Sequence, residues 1–265
     1  MKLKRKIVYC FYGLLSIVLF SCEYYLGFNQ QPKFNNGDII GGLNIFGVLR
    51  PDSIESYNKS FVFVQKIWPV LDMDNFTIIQ NVTVRLEHLS NNEVTDVTEF
   101  PMVPPDSLFS DSLYRPLEHF IPQPGIKYRL ICKYEGLPDA MGECVFPPKP
   151  KIIENSLSVD GNNITFALAA DSLIGMVDIY LIGESFSEFI ERLVPSGTID
   201  TDVELQLPFD PQGLQIKIFA YDANLSVYYG NSNTAFNFNK YRTTISTLDS
   251  GFGVFGALNY IVIDL

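Results

Sequence analysis

The sequence predicts a mainly β protein made of two successive β-sandwich-like halves with one or two short helices. Short apolar segments recur along the chain, and clusters of Gly, Pro, Asn and Asp separate them, which is typical of β-sandwiches. The composition, with 47% hydrophobic, 14% aromatic and 18% charged residues, indicates a folded chain with a filled core. A proline-rich segment at 147–150 divides the pattern, because proline interrupts a sheet.

The N-terminus has the three parts of a bacterial lipoprotein signal. Basic residues at positions 2, 4, 5 and 6 precede an apolar run at 7–20. That run is shorter than the roughly 20 residues that a membrane-spanning helix needs. It ends in Leu19-Phe20-Ser21-Cys22, a lipobox. We therefore predict that residues 1–21 are a signal peptide and that lipid on Cys22 anchors the mature chain. The alternative is a secreted protein that carries no lipid.

Residues 22–37 are predicted to be the lipidated cysteine and a polar tether. The whole chain has 19 basic and 30 acidic residues, and four basic but no acidic residues lie in the signal. The mature chain therefore has 15 basic and 30 acidic residues, a formal charge of −15 with His neutral. Nucleic acids and anionic lipid surfaces require basic patches, so this balance predicts no nucleic-acid partner.

Residues 38–148 are predicted to form the first sandwich. The continuous apolar run at 61–64 indicates a strand covered on both faces. The alternation at 82–87 indicates a half-buried strand, with 94–100 as its hairpin partner. The segment 101–112 contains three prolines and is predicted to be a loop. Further strands are expected at 39–50, 117–121, 126–134 and 144–146.

Cys132 and Cys144 lie in the two arms of an apparent hairpin whose loop is rich in turn residues. Export would take both into an oxidising compartment. A disulfide between them is therefore predicted, and it would contribute about 2–4 kcal/mol. The alternative is two buried free thiols on one core face. No metal site is predicted here, because no His or third Cys lies nearby in the sequence.

Residues 149–265 are predicted to form a second β-rich domain. The turn sequence at 160–163 predicts a hairpin between segments 156–159 and 164–168. Other strands are expected at 176–182, 203–207, 214–218, 241–248 and 258–263.

Two helical segments are expected in this second domain. Phe186, Phe189, Ile190 and Leu193 follow a capping-box spacing at 185–188 and predict a short amphipathic helix. Asp222 is expected to cap a helical turn at 222–229.

The sequence contains no recognisable catalytic or metal-binding set. It lacks the G-x-S-x-G and H-E-x-x-H motifs and any phosphate-binding glycine loop. His88 and His119 are not spaced as metal ligands, and both are interpreted as structural. Asp72, Asp74 and Asn75 resemble part of a calcium loop but lack its downstream glycine and glutamate, so a solvated loop is favoured. We therefore predict a protein that is not an enzyme and has no cofactor or metal.

The aromatic residues allow two interpretations. Trp68, Tyr221, Tyr228, Tyr229 and Tyr241 are candidates to line a sugar-binding surface, because flat rings are favoured at recognition sites. The alternative, which the sequence favours, is that they fill the sandwich cores, since strands favour aromatic residues.

Three segments carry a resemblance to a known family. They are the glycine-rich segment at 244–257, with its G-F-G-V-F-G sequence, and the segments at 43–49 and 125–130. Together with the lipobox, they resemble domain-of-unknown-function family 4249, a family of lipoproteins of Bacteroidota. The resemblance implies an N-terminal immunoglobulin-like sandwich followed by a second β-rich part. It also implies association with a TonB-dependent outer-membrane receptor, and it carries over no catalytic residue.

These observations predict a non-enzymatic lipoprotein anchored to the periplasmic or the outer face of the outer membrane. Its expected role is that of an accessory to a TonB-dependent nutrient-uptake receptor, through protein contacts. Such a role predicts an exposed apolar patch or an unpaired sheet edge. The alternative is a surface lipoprotein that binds a glycan or another ligand, which predicts exposed aromatic side chains on one face with polar groups nearby. The residue for lipidation is Cys22, and no binding residue is assigned from the sequence.

Overall fold

The computed structural model describes residues 42–51, 59–66, 79–104, 113–117, 120–230 and 246–265. Within these ranges the chain is mainly β, as predicted. One helix is described, α1 (Ala223–Gly230). The described strands, in chain order, are β1 (Leu43–Leu49), β2 (Phe61–Lys66), β3 (Thr83–Ser90), β4 (Glu93–Glu99), β5 (Met102–Val103), β6 (Leu113–Tyr114), β7 (Lys127–Lys133), β8 (Ala140–Val145), β9 (Ser158–Asp160), β10 (Asn163–Leu168), β11 (Met176–Ile182), β12 (Ser187–Leu193), β13 (Thr201–Gln206), β14 (Gln215–Tyr221), β15 (Leu248–Asp249) and β16 (Phe252–Asp264).

The largest sheet has eight strands in the order β12-β11-β14-β16-β1-β2-β6-β5. Its middle is β16, which pairs in parallel with β1 through its first half and antiparallel with β14 through its second half. Two smaller sheets complete the fold: β15-β8-β7-β3-β4 and β13-β10-β9. The last of these contains the predicted hairpin at 156–168, formed by β9 and β10.

Both smaller sheets pack against the same face of the eight-stranded sheet. Leu86 and Leu130 of the five-stranded sheet share a first core with Phe255. Ile164 of the three-stranded sheet shares a second core with Ile218. The result is the predicted sandwich-like arrangement, with one large layer covered by two small ones.

The strand β16 contributes to both cores. Because side chains alternate along a strand, positions two apart share a face. Phe255 and Ala257 lie in the first core, while Ile261 and Ile263 pack against the second. Between them, Asn259 is buried and its Nδ2 donates a hydrogen bond to the carbonyl of Pro147, at 3.1 Å. The two cores are therefore not built from two consecutive segments divided at 148/149. The last strand, which lies after that predicted boundary, contributes side chains to the first core as well as to the second.

The predicted helix at 186–193 is wrong, because this segment forms the edge strand β12. The pairing of β11 with β12 shifts register between Ile179 and Tyr180, which leaves Ile190 without a paired residue. This bulge changes the alternation. Ile190 and Leu193 pack against the second core, whereas Phe189 lies against Tyr180 on the opposite face. The bulge therefore produces a spacing that imitates a helix.

The helix predicted near Asp222 is confirmed as α1. The Asp222 carboxylate accepts a hydrogen bond from the backbone N–H of Leu225, at 2.9 Å, as an N-cap residue does. Leu225 is buried under the helix. No helix in the described part of the chain has the length and apolar character needed to cross a bilayer.

Candidate binding surface on the open face of the large sheet

Several residues singled out from the sequence lie outside the described ranges. They are Cys22, Trp68, Asp72, Asp74, Asn75, His119 and Tyr241. His88 is described, and its ring packs edge-on against Tyr128 at a centroid distance of 4.9 Å and against Phe120 at 5.7 Å. Burial lowers the pKa of His88, which fits a structural role. No group of three or more potential metal ligands occurs among the described residues.

Cys132 and Cys144 are free and buried, which corrects the predicted disulfide. In the β7–β8 pairing, Cys132 lies opposite Ala140 and Cys144 lies opposite Tyr128. The two cysteines are thus offset by four positions, or about 13 Å along the strand. A disulfide requires Cα atoms within about 7 Å. Both thiols belong to the first core, and burial raises the pKa of each.

Three of the five predicted aromatic residues come together on the face of the large sheet opposite the two cores. Tyr221 contacts Tyr229 at a ring distance of 5.6 Å, and Tyr229 contacts Tyr228 at 5.4 Å. Tyr228 continues the series to Phe46 at 5.8 Å. Tyr221 is only 8% exposed, so this inner aromatic group largely forms the packing between α1 and the sheet.

Beyond the inner group lies a more open surface, which we call the outer aromatic patch. It consists of two rows of residues, and each row crosses four adjacent strands. Within a row, the residues on neighbouring strands are paired directly opposite one another. In order across β12, β11, β14 and β16, the rows are Phe189-Tyr180-Lys217-Val262 and Arg192-Asp178-Phe219-Tyr260.

The rings of the outer aromatic patch form a continuous series across the four strands. Phe189 and Tyr180 are 5.5 Å apart, Tyr180 and Phe219 are 5.5 Å apart, and Phe219 and Tyr260 are 5.6 Å apart. Phe189 at one edge is 47% exposed, and Val262 at the other edge is 45% exposed. The three rings between them are half-buried. These rings make the patch a candidate interaction surface.

A bidentate ion pair lies within the patch. Arg192 donates from Nε and Nη2 to the two oxygens of Asp178, at 2.7 and 2.8 Å. The Asp178 side chain is nearly fully buried, and its hydrogen bonds raise the pKa of Arg192. Arg192 also donates from Nη1 to the carbonyl of Tyr229, at 3.2 Å, which connects the edge strand to the end of α1. The pair is therefore a rigid, planar polar group beside the rings.

Lys217 brings a second cation to the patch. Its Nζ lies 4.2 Å from the ring centroid of Tyr260 and 4.8 Å from that of Phe219. Burial raises the pKa of Tyr180, so its hydroxyl stays protonated at neutral pH. The patch thus combines aromatic rings, a phenol hydroxyl and two cations that lie over those rings.

Sequence analysis missed this patch, although the signal for it was present. On β14, Ile216, Ile218 and Ala220 face the second core, and the alternate positions hold Lys217 and Phe219. An aromatic residue on the face that should be polar was the visible clue. The pairing of β14 with β11 and β16 was needed to place Phe219 beside Tyr180 and Tyr260.

Comparison with known proteins places no family name on the chain. No protein-family model matches it, and no curated protein matches it. Among solved structures, the chain is similar to the crystal structure of the selenomethionine-substituted chicken interferon gamma receptor alpha chain, at 9% sequence identity. That match covers 61% of this chain and 82% of the other, with a TM-score of 0.20.

Proposed function

We propose that this chain is a non-enzymatic lipoprotein of the outer membrane and an accessory to a TonB-dependent nutrient-uptake receptor, which it contacts as a protein partner. The lipobox ending in Cys22 supports the anchor, and the family resemblance supports the receptor. The structural observation that carries the contact is the edge strand β4. This strand lies at the edge of the described five-stranded sheet, and on it Val94 is 48% exposed and Val97 is 43% exposed.

An edge strand of this kind suits the addition of a partner strand. It is the end strand of its sheet within the described part of the chain, and its two exposed valines offer apolar contacts. Glu93, Asp96 and Glu99 also lie on β4 and are exposed. Opposite charges across a strand pair are favourable, whereas like charges are not. The partner strand on the receptor is therefore expected to be extended and to carry basic residues.

Co-purification from the native membrane tests this function. The tagged lipoprotein is extracted in a mild detergent, and the proteins that accompany it are identified by mass spectrometry. A Cys22→Ala form serves as the unanchored control. The double variant Val94→Lys, Val97→Lys tests the edge, and Val159→Lys on the edge strand β9, where Val159 is 38% exposed, is its matched control.

We expect a TonB-dependent receptor to accompany the lipidated protein in near-equal amounts. The β4 variant should lose the receptor, whereas Val159→Lys should retain it. A lipoprotein that purifies alone would contradict the accessory role. A receptor retained by the β4 variant would move the contact to another surface.

The second candidate function is that of a surface lipoprotein that binds a glycan or another ligand. The outer aromatic patch supports it, because one exposed ring and three half-buried rings lie there beside polar groups. The two functions are compatible, since β4 and the patch belong to different sheets. The two functions would be distinguished if the β4 variant lost only receptor binding and a variant of the patch lost only ligand binding.

A further inference from the structure

We infer that the strand β13 docks an extended segment of another protein whose basic residues recur at every second position. The segment adds antiparallel to β13 and extends the three-stranded sheet, as extended peptides do at sheet edges. Three properties of β13 carry the inference: an uninterrupted edge, an acidic outer face, and a concavity beside its carboxylates. It does not rest on the receptor contact proposed for β4, which belongs to a different sheet.

The three described sheets have two ends each, and β13 is the end with the longest uninterrupted pairing. The ends β5 and β15 have two residues each, and β9 has three. The pairings of β4 and β12 each contain a register shift. The strand β13 instead pairs one-to-one with β10 over six residues, from Thr201 to Gln206. Short strands and bulges protect sheet edges from further pairing, and β13 has neither feature.

The register of β13 shows which of its backbone groups point toward the outer edge. Leu207 donates from its backbone N–H to the carbonyl of Asn162, at 2.9 Å, at one end of the pairing with β10. Hydrogen-bonded and non-hydrogen-bonded pairs alternate in an antiparallel ladder. Asp202 and Glu204 therefore belong to non-hydrogen-bonded pairs, and their N–H and C=O groups point away from β10. An added strand would meet these groups at the regular spacing that a ladder requires.

The charge of this edge selects a basic partner. The side chains of Asp202 and Glu204 are exposed on the outer face, whereas the alternate residues Val203 and Leu205 are buried in the second core. The three strands of this sheet contain no basic residue. Opposite charges directly across a strand pair are favourable, and like charges are unfavourable. A segment that places Lys or Arg opposite both carboxylates therefore fits this edge, with its alternate residues on the side of the second core.

The same charges disfavour a second copy of this chain as the occupant. If β13 paired antiparallel with β13 of another copy about Val203, Asp202 would lie opposite Glu204. A pairing about Glu204 would place this residue opposite the same residue of the other copy. Each arrangement sets like charges directly across from each other, which is destabilising. The edge therefore discriminates against self-association and favours a partner of opposite charge.

A concavity on the outer face provides room for the basic side chains. It has a volume of about 410 Å³, and its lining includes Asp202, Glu204, Thr165 and Ser156. A lysine or arginine opposite the carboxylates can lie along it, with its charged end near carboxylate and hydroxyl oxygens. Long basic side chains lay their apolar stems against a protein surface in this way.

Peptide binding to the full mature lipoprotein in detergent tests the inference. The probe is the fluorescently labelled peptide Thr-Lys-Val-Lys-Val-Lys-Thr, and fluorescence anisotropy measures its binding. A first control peptide has Glu in place of each Lys. Two more are methylated on the backbone nitrogens, one at the lysines and one at the valines. In an antiparallel addition with lysines opposite the carboxylates, the lysine N–H groups point toward β13 and the valine N–H groups point away.

Two protein variants with equal changes of charge accompany the peptides. The test variant is Asp202→Lys, Glu204→Lys. The control variant is Glu154→Lys, Asp160→Lys, in which Asp160 lies on β9 at the opposite edge of the sheet and Glu154 precedes that strand. All four side chains are exposed, so both variants are expected to keep the unfolding midpoint of the parent protein.

We expect the basic peptide to bind at least about fivefold more tightly than the acidic peptide, because the charge pairs across the edge change sign. The test variant should reverse this preference, whereas the control variant should keep it. Methylation at the lysines should remove binding, whereas methylation at the valines should leave it in place. Amide hydrogen exchange of β13 should slow when the basic peptide is bound.

Three results from the peptides would overturn the inference. They are no binding of the basic peptide at millimolar concentration, a preference that the test variant leaves unchanged, and binding that survives methylation at the lysines. Exchange in β13 that slows with rising protein concentration alone would assign the edge to a second copy and would also overturn it. None of these measurements involves the receptor that the β4 variant tests, so either proposal can fail while the other stands.

Discussion

Gly253 shows how one residue makes the central pairing of the large sheet possible. It has a φ of 102°, and a Cβ at this position would collide with the backbone carbonyl of Ile45 on β1. Gly253→Ala is therefore expected to lower the free energy of unfolding by about 3 kcal/mol, because left-handed strain and a rigid clash add together. Urea denaturation of the purified protein measures this loss.

Gly125 provides the matched control for that substitution. It also has a positive φ, 79°, but a Cβ there would meet nothing within 4 Å. Gly125→Ala should therefore lose only the conformational part, about 1 kcal/mol. Equal losses at the two positions would mean that the close approach of β16 to β1 does not constrain the sheet.

Asp222 makes the stability of the fold depend on pH. Burial raises its pKa from 3.8 to about 7, although backbone N–H groups that bind the carboxylate oppose this shift. Between about pH 4 and 7 the folded protein keeps the proton that the unfolded chain has lost, so stability falls as pH rises through this window. Each pH unit between the unfolded-state and folded-state pKa values corresponds to about 1.4 kcal/mol, so the free energy of unfolding falls by at most about 4 kcal/mol across this window.

The variant Asp222→Asn isolates this effect, because an amide oxygen can still accept the hydrogen bond from Leu225 but carries no charge. Relative to the variant, the parent protein is expected to lose stability progressively from about pH 4 to 7. Urea denaturation at several pH values in this range measures the difference. Stability curves that run parallel would show that Asp222 does not retain its proton in the folded state.

Among the elements, α1 is joined to two sheets at once by one amide side chain. Asn224 donates from Nδ2 to the carbonyls of Glu143 on β8 and Phe255 on β16, at 2.7 and 2.8 Å. Asn224→Ala leaves both acceptors without this donor and should cost about 1–3 kcal/mol. In the same variant, the hydrogen-exchange rate of the peptide that contains α1 should increase.

Ser226 is the control on the same helix. Its hydroxyl donates only within α1, to the carbonyl of Ala223 at 2.8 Å. Ser226→Ala should therefore change stability by less than about 0.5 kcal/mol. If Ser226→Ala and Asn224→Ala lower the free energy of unfolding equally, the two hydrogen bonds from Asn224 to the sheets contribute nothing beyond local helix stability.

The elements also show what sequence patterns predict and what they miss. The alternation along β3 and the turn sequence between β9 and β10 are local signals, and both elements were predicted. The strand β12 was predicted as a helix, because a bulge at Ile190 depends on the pairing with β11. The outer aromatic patch was missed for the same reason, since Phe219 meets Tyr180 only through the strand register.

At the scale of the whole molecule, the strand β16 connects the two halves that the sequence pattern separates. A boundary at 148/149 follows from local proline content, but Phe255 in the first core and Ile261 beside the second lie on the same strand. Unfolding either half alone would leave one end of β16 without its neighbouring strand. Buried backbone groups left unpaired are costly. The described sheets should therefore unfold as one cooperative unit rather than as two domains.

Substitutions in the two cores test this cooperativity. Leu130 in the first core and Ile218 in the second are both fully buried. Leu130→Ala and Ile218→Ala should each cost about 2–5 kcal/mol, and each should lower the midpoint of a single calorimetric transition. Hydrogen exchange should accelerate in β3 and in β13 with either variant, because the slowest amides exchange through global unfolding. If Leu130→Ala accelerates exchange in β3 and leaves β13 protected, the two halves unfold independently, and β16 connects them without coupling them.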